Sequence, residues 1–266
     1  MKRQIIYLNL FVILLLCSCS KSEADNNDWQ MIWNDEFETD GAPDETKWSF
    51  SGRRSPDWAC YCTDQLENAE VFNGVLHLRG TVNENPGDTA QFQTGCIQTK
   101  GKFDFKYGKL EVRAKLSKGQ GSWPAIWMMP AEGVYGGWPK SGEIDVMEHL
   151  NFDPYFYQTI HSSHVDELKQ KDNPIYFAKA SFKEGEFNVF GLEWYPDRLD
   201  FLINGKKTFT YPKLEGQDSV QWPFDQNFYI ILNQALGGNW PGPVNAEDLP
   251  VEMQVDWVRV YQRNKD

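Results

Sequence analysis

The sequence predicts an all-β chain folded as two packed antiparallel sheets. Two observations lead there. After residue 28, short runs rich in Val, Ile, Phe, Tyr and Trp alternate with turns of Gly, Asn, Asp and Pro, which is the punctuation of strands. No stretch keeps a helical period for more than a few turns, and no βα alternation asks for a parallel sheet.

The elements follow in order. Residues 75–79 alternate apolar and polar side chains with period two, as do 109–116 and 187–194. Residues 198–211 read as a hairpin turning at Asn204-Gly205, a pair suited to the positive φ angles of a two-residue turn. Residues 253–261 form a closing strand. Residues 166–173 are the one plausible short helix and fit a loop better. No linker, repeat or low-complexity segment follows residue 28, so 29–266 is expected to be one domain.

The N-terminus reads as a targeting segment. Lys2 and Arg3 precede an apolar run over 5–16, about a dozen residues where a bilayer span needs about 20. Leu16-Cys17-Ser18-Cys19 is similar to a bacterial lipobox. The expectation is a signal peptide over 1–18, lipidation at Cys19 and a polar tether over 19–28. An ordinary secretory signal is the alternative. The lipoprotein reading places the protein at a bacterial outer membrane, facing the surface or the periplasm, with the lipid as its only membrane contact.

The formal net charge is −12. Nucleic acid needs a basic face, so it is excluded as a partner. A polyanionic substrate is disfavoured by default, although a local basic groove would override the net value. A monomer is expected. Past the lipobox, Cys60, Cys62 and Cys96 remain. An odd count leaves a thiol unpaired. Cys60 and Cys62 are too close for an easy bridge, so Cys96 pairs with one of them. Zinc is not expected, because no C-x-x-C occurs and the four His residues are scattered.

The chemistry concentrates at Glu143-Ile144-Asp145-Val146-Met147-Glu148. On a regular strand Glu143, Asp145 and Met147 share one face and Glu148 points away. One extra residue, a β-bulge, brings Glu148 back beside the other two acids. Three clustered acids repel, so at least one pKa rises. A low-pKa nucleophile beside a high-pKa acid can cut a glycosidic bond. A solvated acidic face is the plain alternative. Nearby aromatics favour the sugar reading, because a ring face stacks on sugar C–H groups. They are Trp123, Trp127, Trp138 and Trp240.

Six landmarks then carry a resemblance. They are Trp33-Asn34-Asp35-Glu36-Phe37, the 68–76 stretch with Asn73-Gly74, the 107–115 strand, Trp123-Pro124-Ala125-Ile126-Trp127, the Glu143 run, and Val255-Asp256-Trp257-Val258-Arg259-Val260-Tyr261. In this order the chain resembles glycoside hydrolase family 16 over nearly all of 29–266. The resemblance implies a jelly-roll β-sandwich with a concave face crossed by an open cleft, and a retaining endo-β-glycosidase that needs no cofactor for catalysis.

It also implies roles. Glu143 is expected as nucleophile, Glu148 as general acid and then base, and Asp145 as the group orienting Glu143. Retention needs the two glutamates about 5–5.5 Å apart. Trp123, Trp138 and Trp240 are candidate stacking platforms, with core packing as the alternative. His161 matches a family position near the acid/base, and Asn233 and Gln234 are candidate cleft residues. Many members carry a structural calcium. Asp256 matches its carboxylate ligand, with Glu36 and Gly74 as carbonyl donors, and a salt-bridged Asp256 is the equal alternative. The substrate is expected to be a polysaccharide or host glycan. The wording around Glu148 and His161 leans toward an endo-β-1,4-galactosidase acting on lactosamine-type O-glycans. An endo-β-1,3(4)-glucanase is the alternative. A transglycosylase would use the same residues, and a non-catalytic carbohydrate-binding protein would use the same scaffold.

Overall fold

A computed structural model describes residues 28–264. The expected signal peptide and the lipidation site Cys19 lie outside the described residues, as does most of the tether.

The fold is all-β. Its strands are β1 (Trp29–Asp35), β2 (Ser49–Phe50), β3 (Cys62–Thr63), β4 (Ala69–Phe72), β5 (Val75–Val82), β6 (Phe92–Gln98), β7 (Gly108–Leu116) and β8 (Ser122–Pro130). They continue as β9 (Glu143–Glu148), β10 (Phe156–His161), β11 (Phe177–Ala180), β12 (Asn188–Trp194), β13 (Arg198–Ile203), β14 (Lys206–Pro212), β15 (Phe228–Leu236) and β16 (Val251–Arg263). Among the described residues the helical pieces are single turns, and none is long and apolar enough to cross a membrane. Residues 166–173, read as a loop in preference to a short helix, carry only the end of a π turn over Ser163–Glu167.

The strands form one continuous curved path, β11-β10-β9-β8-β15-β6-β5-β16-β7-β12-β13-β14. β6 is the corner. Its Cys96–Gln98 end pairs with β15, and its Phe92–Thr94 end pairs with β5. A strand that switches sheets folds the path back into two layers, as in orthogonally cornered sandwiches. One layer carries β8, β9, β10 and β15, which hold the candidate site. The other carries β5, β16, β7, β12, β13 and β14.

The core fills the space between. On β7, Leu110, Val112, Ala114 and Leu116 are buried, while Lys109, Glu111, Arg113 and Lys115 face out. This is the alternation read from the sequence. β15 differs, with all nine residues buried. Phe228, Ile230 and Leu232 join the main core, while Tyr229 and Ile231 pack with Ala125 and Trp127 on the opposite face. That second face is the floor of a groove. The Asn204-Gly205 turn joins β13 to β14 with φ of 50° and 74°, as its sequence predicts. Cys62 pairs with Cys96 at a Cα separation of 5.7 Å, and Cys60 is free. The bridge ties the segment bearing Trp58 to β6 beneath the groove.

Candidate active site

The acids lie on β9, and the expected bulge is present. β8 pairs Ile126 with Met147 but Trp127 with Asp145, so one extra residue is accommodated on β9. β10 repeats the shift, with Tyr157 opposite Glu148 and Thr159 opposite Asp145. Ile144, Val146 and Met147 are therefore fully buried in the core, and Glu143 and Glu148 both line the cleft. Each core side chain is worth roughly 1.5–3 kcal/mol of burial. A bulge-free register would expose Met147 and drive Glu148 into an apolar interior, so packing and charge both hold the bulge. Gly142 opens the strand at φ +82°, and a Cβ there would lie 2.8 Å from Phe224 and Pro223.

The cleft has a volume of about 460 Å³. Glu148 sits on one side, where its Oε1 accepts a hydrogen bond from Trp123 Nε1 at 3.0 Å. Trp123 meets Trp240 edge to face at 5.5 Å, and Trp240 meets Tyr157 at 5.0 Å. Glu143 sits on the other side. Its Oε2 accepts from Trp138 Nε1 at 2.6 Å, and the Trp138 ring lies 5.7 Å from that of His161. Trp138 is 57 % exposed and Trp240 45 % exposed, so both lie at the surface rather than in the core. Trp123 is partly buried and serves two purposes, as wall and as hydrogen-bond donor. The Trp240 loop is pinned. Asp57 Oδ2 accepts from the Asn239 backbone and side chain, and Asn151 donates to the Pro241 carbonyl.

Asn233 and Gln234 separate. Asn233 lies on the groove floor, where its Oδ1 accepts from Trp127 Nε1 at 2.7 Å. Gln234 lies on the opposite face of β15, fully buried, donating to Ser122 Oγ and the Ala235 carbonyl. Strand alternation forbids adjacent residues from sharing a face, so the placement of Gln234 in the cleft is corrected. Trp58, Tyr157, Thr159, Tyr176 and Phe177 also line the cleft and were missed. Tyr157 and Thr159 had a signal, since they precede His161 at intervals of two on one strand. Trp58, Tyr176 and Phe177 arrive from separate segments and had none.

The electrostatics follow from burial. Glu148 is raised to about 7, first by burial and then by the charge of Glu143, against which the Trp123 indole and His161 act. Asp145 is raised well above the usual carboxylate range by burial, then by Glu148 and Glu143. Glu143 is also raised, chiefly by burial, while His161, the Trp138 indole and a hydrogen bond from Asp145 act to keep it ionised. The expected low-pKa nucleophile is thus corrected. What distinguishes Glu143 from Glu148 is the number of groups stabilising its anion. Neither glutamate, nor Asp145, pairs with Lys or Arg among the described residues.

Of the residues expected around a calcium, Asp256 is engaged otherwise. The Asp256 carboxylate is paired with Arg113; the Glu36 side chain accepts from Arg259 Nε and Nη2 at 2.8 Å, while the expected donors on Glu36 and Gly74 are backbone carbonyls that these pairs do not occupy. A carboxylate already neutralised by a guanidinium is a poor donor for a hard cation. The arrangement fits the salt-bridged alternative for Asp256. A roomier hollow of about 630 Å³ over 34–47 shares no residue with the cleft, and two of its acids are paired, Asp35 with Lys47 and Glu36 with Arg259.

Known proteins align with this arrangement. The model for glycosyl hydrolases family 16 matches residues 59–259. A keratan-sulfate endo-1,4-beta-galactosidase of Sphingobacterium multivorum is 42 % identical over 236 residues, which cover 88 % of this chain and 56 % of that protein. The chain therefore spans little more than half of that relative. A beta-glucanase of Rhodothermus marinus is 34 % identical over 271 residues, covering 95 % of this chain and 93 % of its own. Among solved structures, the family 16 endo-beta-1,3(4)-glucanase SCLam superposes with a TM-score of 0.80 at 33 % identity, covering 89 % of this chain and 92 % of its own. These matches span the two layers and the bulged acid strand together, and on them the chain belongs to glycosyl hydrolase family 16.

Proposed function

We propose that the protein is a retaining endo-β-glycosidase. The observation that carries this is the bulged strand that brings Glu143 and Glu148 into one cleft, with Glu148 raised to about 7. Glu143 attacks the anomeric carbon and forms a glycosyl ester. Glu148 gives its proton to the leaving oxygen, and the C–O bond breaks. Glu148, now a carboxylate, takes a proton from water, and the hydroxide displaces Glu143 with net retention. Asp145 keeps a proton and donates it in a hydrogen bond to Glu143, which supports the anion. Trp123, Trp240 and Tyr157 form a leaving-group-side platform beside Glu148, and Trp138 stands beside Glu143.

For the substrate we favour β-1,4-galactoside bonds in lactosamine-type glycans. The support is the 42 % identity to an endo-1,4-beta-galactosidase, against 34 % to a beta-glucanase. The endo-β-1,3(4)-glucanase reading is favoured by the solved structures, which are glucanases and laminarinases. A pure binding module is disfavoured, because it has no use for three mutually repelling carboxylates. Export and lipid attachment at Cys19 remain part of this reading on the strength of residues 1–19 alone. The test is digestion of laminarin, mixed-linkage glucan, agarose, keratan sulfate and mucin, with products resolved by mass. Oligosaccharides from keratan sulfate or mucin support the galactosidase reading, and release from laminarin alone moves the assignment to a glucanase.

A further inference from the structure

His161 is held between acids on both sides of its ring. Nδ1 lies 3.2 and 3.1 Å from the two carboxylate oxygens of Asp166. Nε2 lies 3.4 Å from Asp145 Oδ2, a buried oxygen that no hydrogen bond reaches. Atoms of Glu143, Asp145 and His161 all lie within 4.8 Å of one another. Asp166 itself does not line the cleft. It reaches His161 from five residues on, through the π turn over Ser163–Glu167. That turn is closed by the Leu168 amide donating to the Ser163 carbonyl at 2.9 Å. The Ser162 amide donates to Asp166 Oδ2 at 3.1 Å and fixes the carboxylate. Wide π turns of this kind recur at functional sites.

The proton inventory follows from the partners. A ring nitrogen facing an acceptor oxygen carries a proton. That oxygen belongs to a carboxylate in Asp166, and Asp145 Oδ2 is the unprotonated oxygen of a carboxylic acid when the Asp145 proton goes to Glu143. Nδ1 faces Asp166, and Nε2 faces Asp145 Oδ2, which has no other donor. Both nitrogens protonated means an imidazolium. The titratable groups around this ring are Asp166 from the turn and Glu143, Asp145 and Glu148 from β9, with the Trp138 ring packed beside it. None of these four acids forms an ion pair with Lys or Arg among the described residues. His161 is then the basic group available to balance the nucleophile.

We propose that Asp166 is a positioning residue that holds His161 as an imidazolium aimed at the Asp145–Glu143 pair, and so keeps Glu143 ionised for attack. The proposal rests on the reading of Glu143 as nucleophile. Burial acts against a charged His161, yet the Asp166 hydrogen bond and the charges of Glu143, Asp166 and Glu148 outweigh it, and the ring is held above the ordinary histidine value. The charge of Asp166 also acts directly on Glu143 and raises it, but it ranks below the opposing His161 charge, so the effect through His161 is the larger. Removing Asp166 leaves the burial penalty on His161 with less to oppose it.

The test titrates His161 by nitrogen-15 imidazole NMR in the full chain without substrate, so its result does not depend on which glycan is cleaved. In the wild type the imidazolium should persist above pH 6.5. Asp166→Asn should shift that titration to lower pH, and Asp166→Glu should restore most of it. On the panel polysaccharide that the wild type cleaves, Asp166→Asn should lower kcat by about tenfold or more with KM within about twofold. The acid limb of the pH profile should move to higher pH, because Glu143 loses the His161 charge that helps to ionise it. In a His161→Gln background, Asp166→Asn should add nothing. A wild-type His161 that is neutral below pH 6.5 overturns the proposal, even if Asp166→Asn fails to fold. So does an unchanged titration in Asp166→Asn, or a full loss of kcat from Asp166→Asn in the His161→Gln background.

Discussion

Asp200 and Asp145 are each 2 % exposed, and their surroundings treat them in opposite ways. Asp200 accepts hydrogen bonds from Thr210 at 2.6 Å, Arg198 at 3.0 Å and Lys207 at 3.4 Å. Burial pushes its pKa up, but these partners outweigh it and the carboxyl ends below its ordinary value. Asp145 has a buried oxygen with no hydrogen bond and two further acids beside it, and its carboxyl ends far above the usual range. The same chain can satisfy a buried carboxylate on β13 and does not do so on β9. The unpaired acids at the cleft are therefore a feature of that site, and strained groups of this kind concentrate where chemistry is done.

Substituting the cleft acids should give the largest effects. Glu143→Gln keeps shape and removes the nucleophile, so turnover should fall by about 10⁴-fold or more while substrate binding survives. Single-turnover assays with a binding isotherm check this, and near-normal turnover would show that another group attacks. Glu148→Ala should cost about 10²–10⁴-fold on a natural substrate. An aryl glycoside with a good leaving group should still form the intermediate, and azide should then restore turnover and yield a β-glycosyl azide. An α-azide from this variant would exchange the two roles.

Stability sharpens the contrast. Asp200 has a depressed folded pKa, so its contribution is present above about 3.8 and disappears as pH falls through the folded value. Asp200→Asn should cost roughly 1.5–3 kcal/mol at pH 8, and less in acid. Asp145 has a raised folded pKa, so the folded state favours its proton and stability is lost as pH climbs above the ordinary value. Asp145→Asn should be neutral in acid and stabilising at pH 8. Urea unfolding at both pH values reads the two signs, and equal destabilisation by both variants at pH 8 would erase the distinction. Trp138→Phe is the mildest change. It removes the 2.6 Å donor to Glu143, so the acid limb of kcat/KM should move up in pH with a loss of a few-fold. An unmoved acid limb would show that this donor does not hold the charge on Glu143.

Strand alternation and turn residues made the fold readable, and the bulge followed because only one inserted residue puts Glu148 beside Glu143 while sending Met147 inward. The same rule, applied to β15, separates Asn233 from Gln234, and assigning both to the cleft overlooked it. Trp58, Tyr176 and Phe177 were not legible because long-range pairing brings them to the cleft, from the disulfide-tied turn and from the start of β11 with the residue before it. The raised pKa of Glu143 was hidden for a related reason. Depth of burial and the lack of basic partners depend on the assembled walls, not on the local motif.

The central claim is that Glu148 keeps its proton near neutrality because the cleft buries it beside Glu143. Carbon-13 carboxyl NMR of the wild-type protein tests it most directly. The Glu148 resonance should titrate at about 7, and in Glu143→Gln it should fall while staying above 4.5, since burial remains when the neighbouring charge is gone. A Glu148 that titrates near 4.5 in the wild type, or one that Glu143→Gln leaves unmoved, would contradict the account.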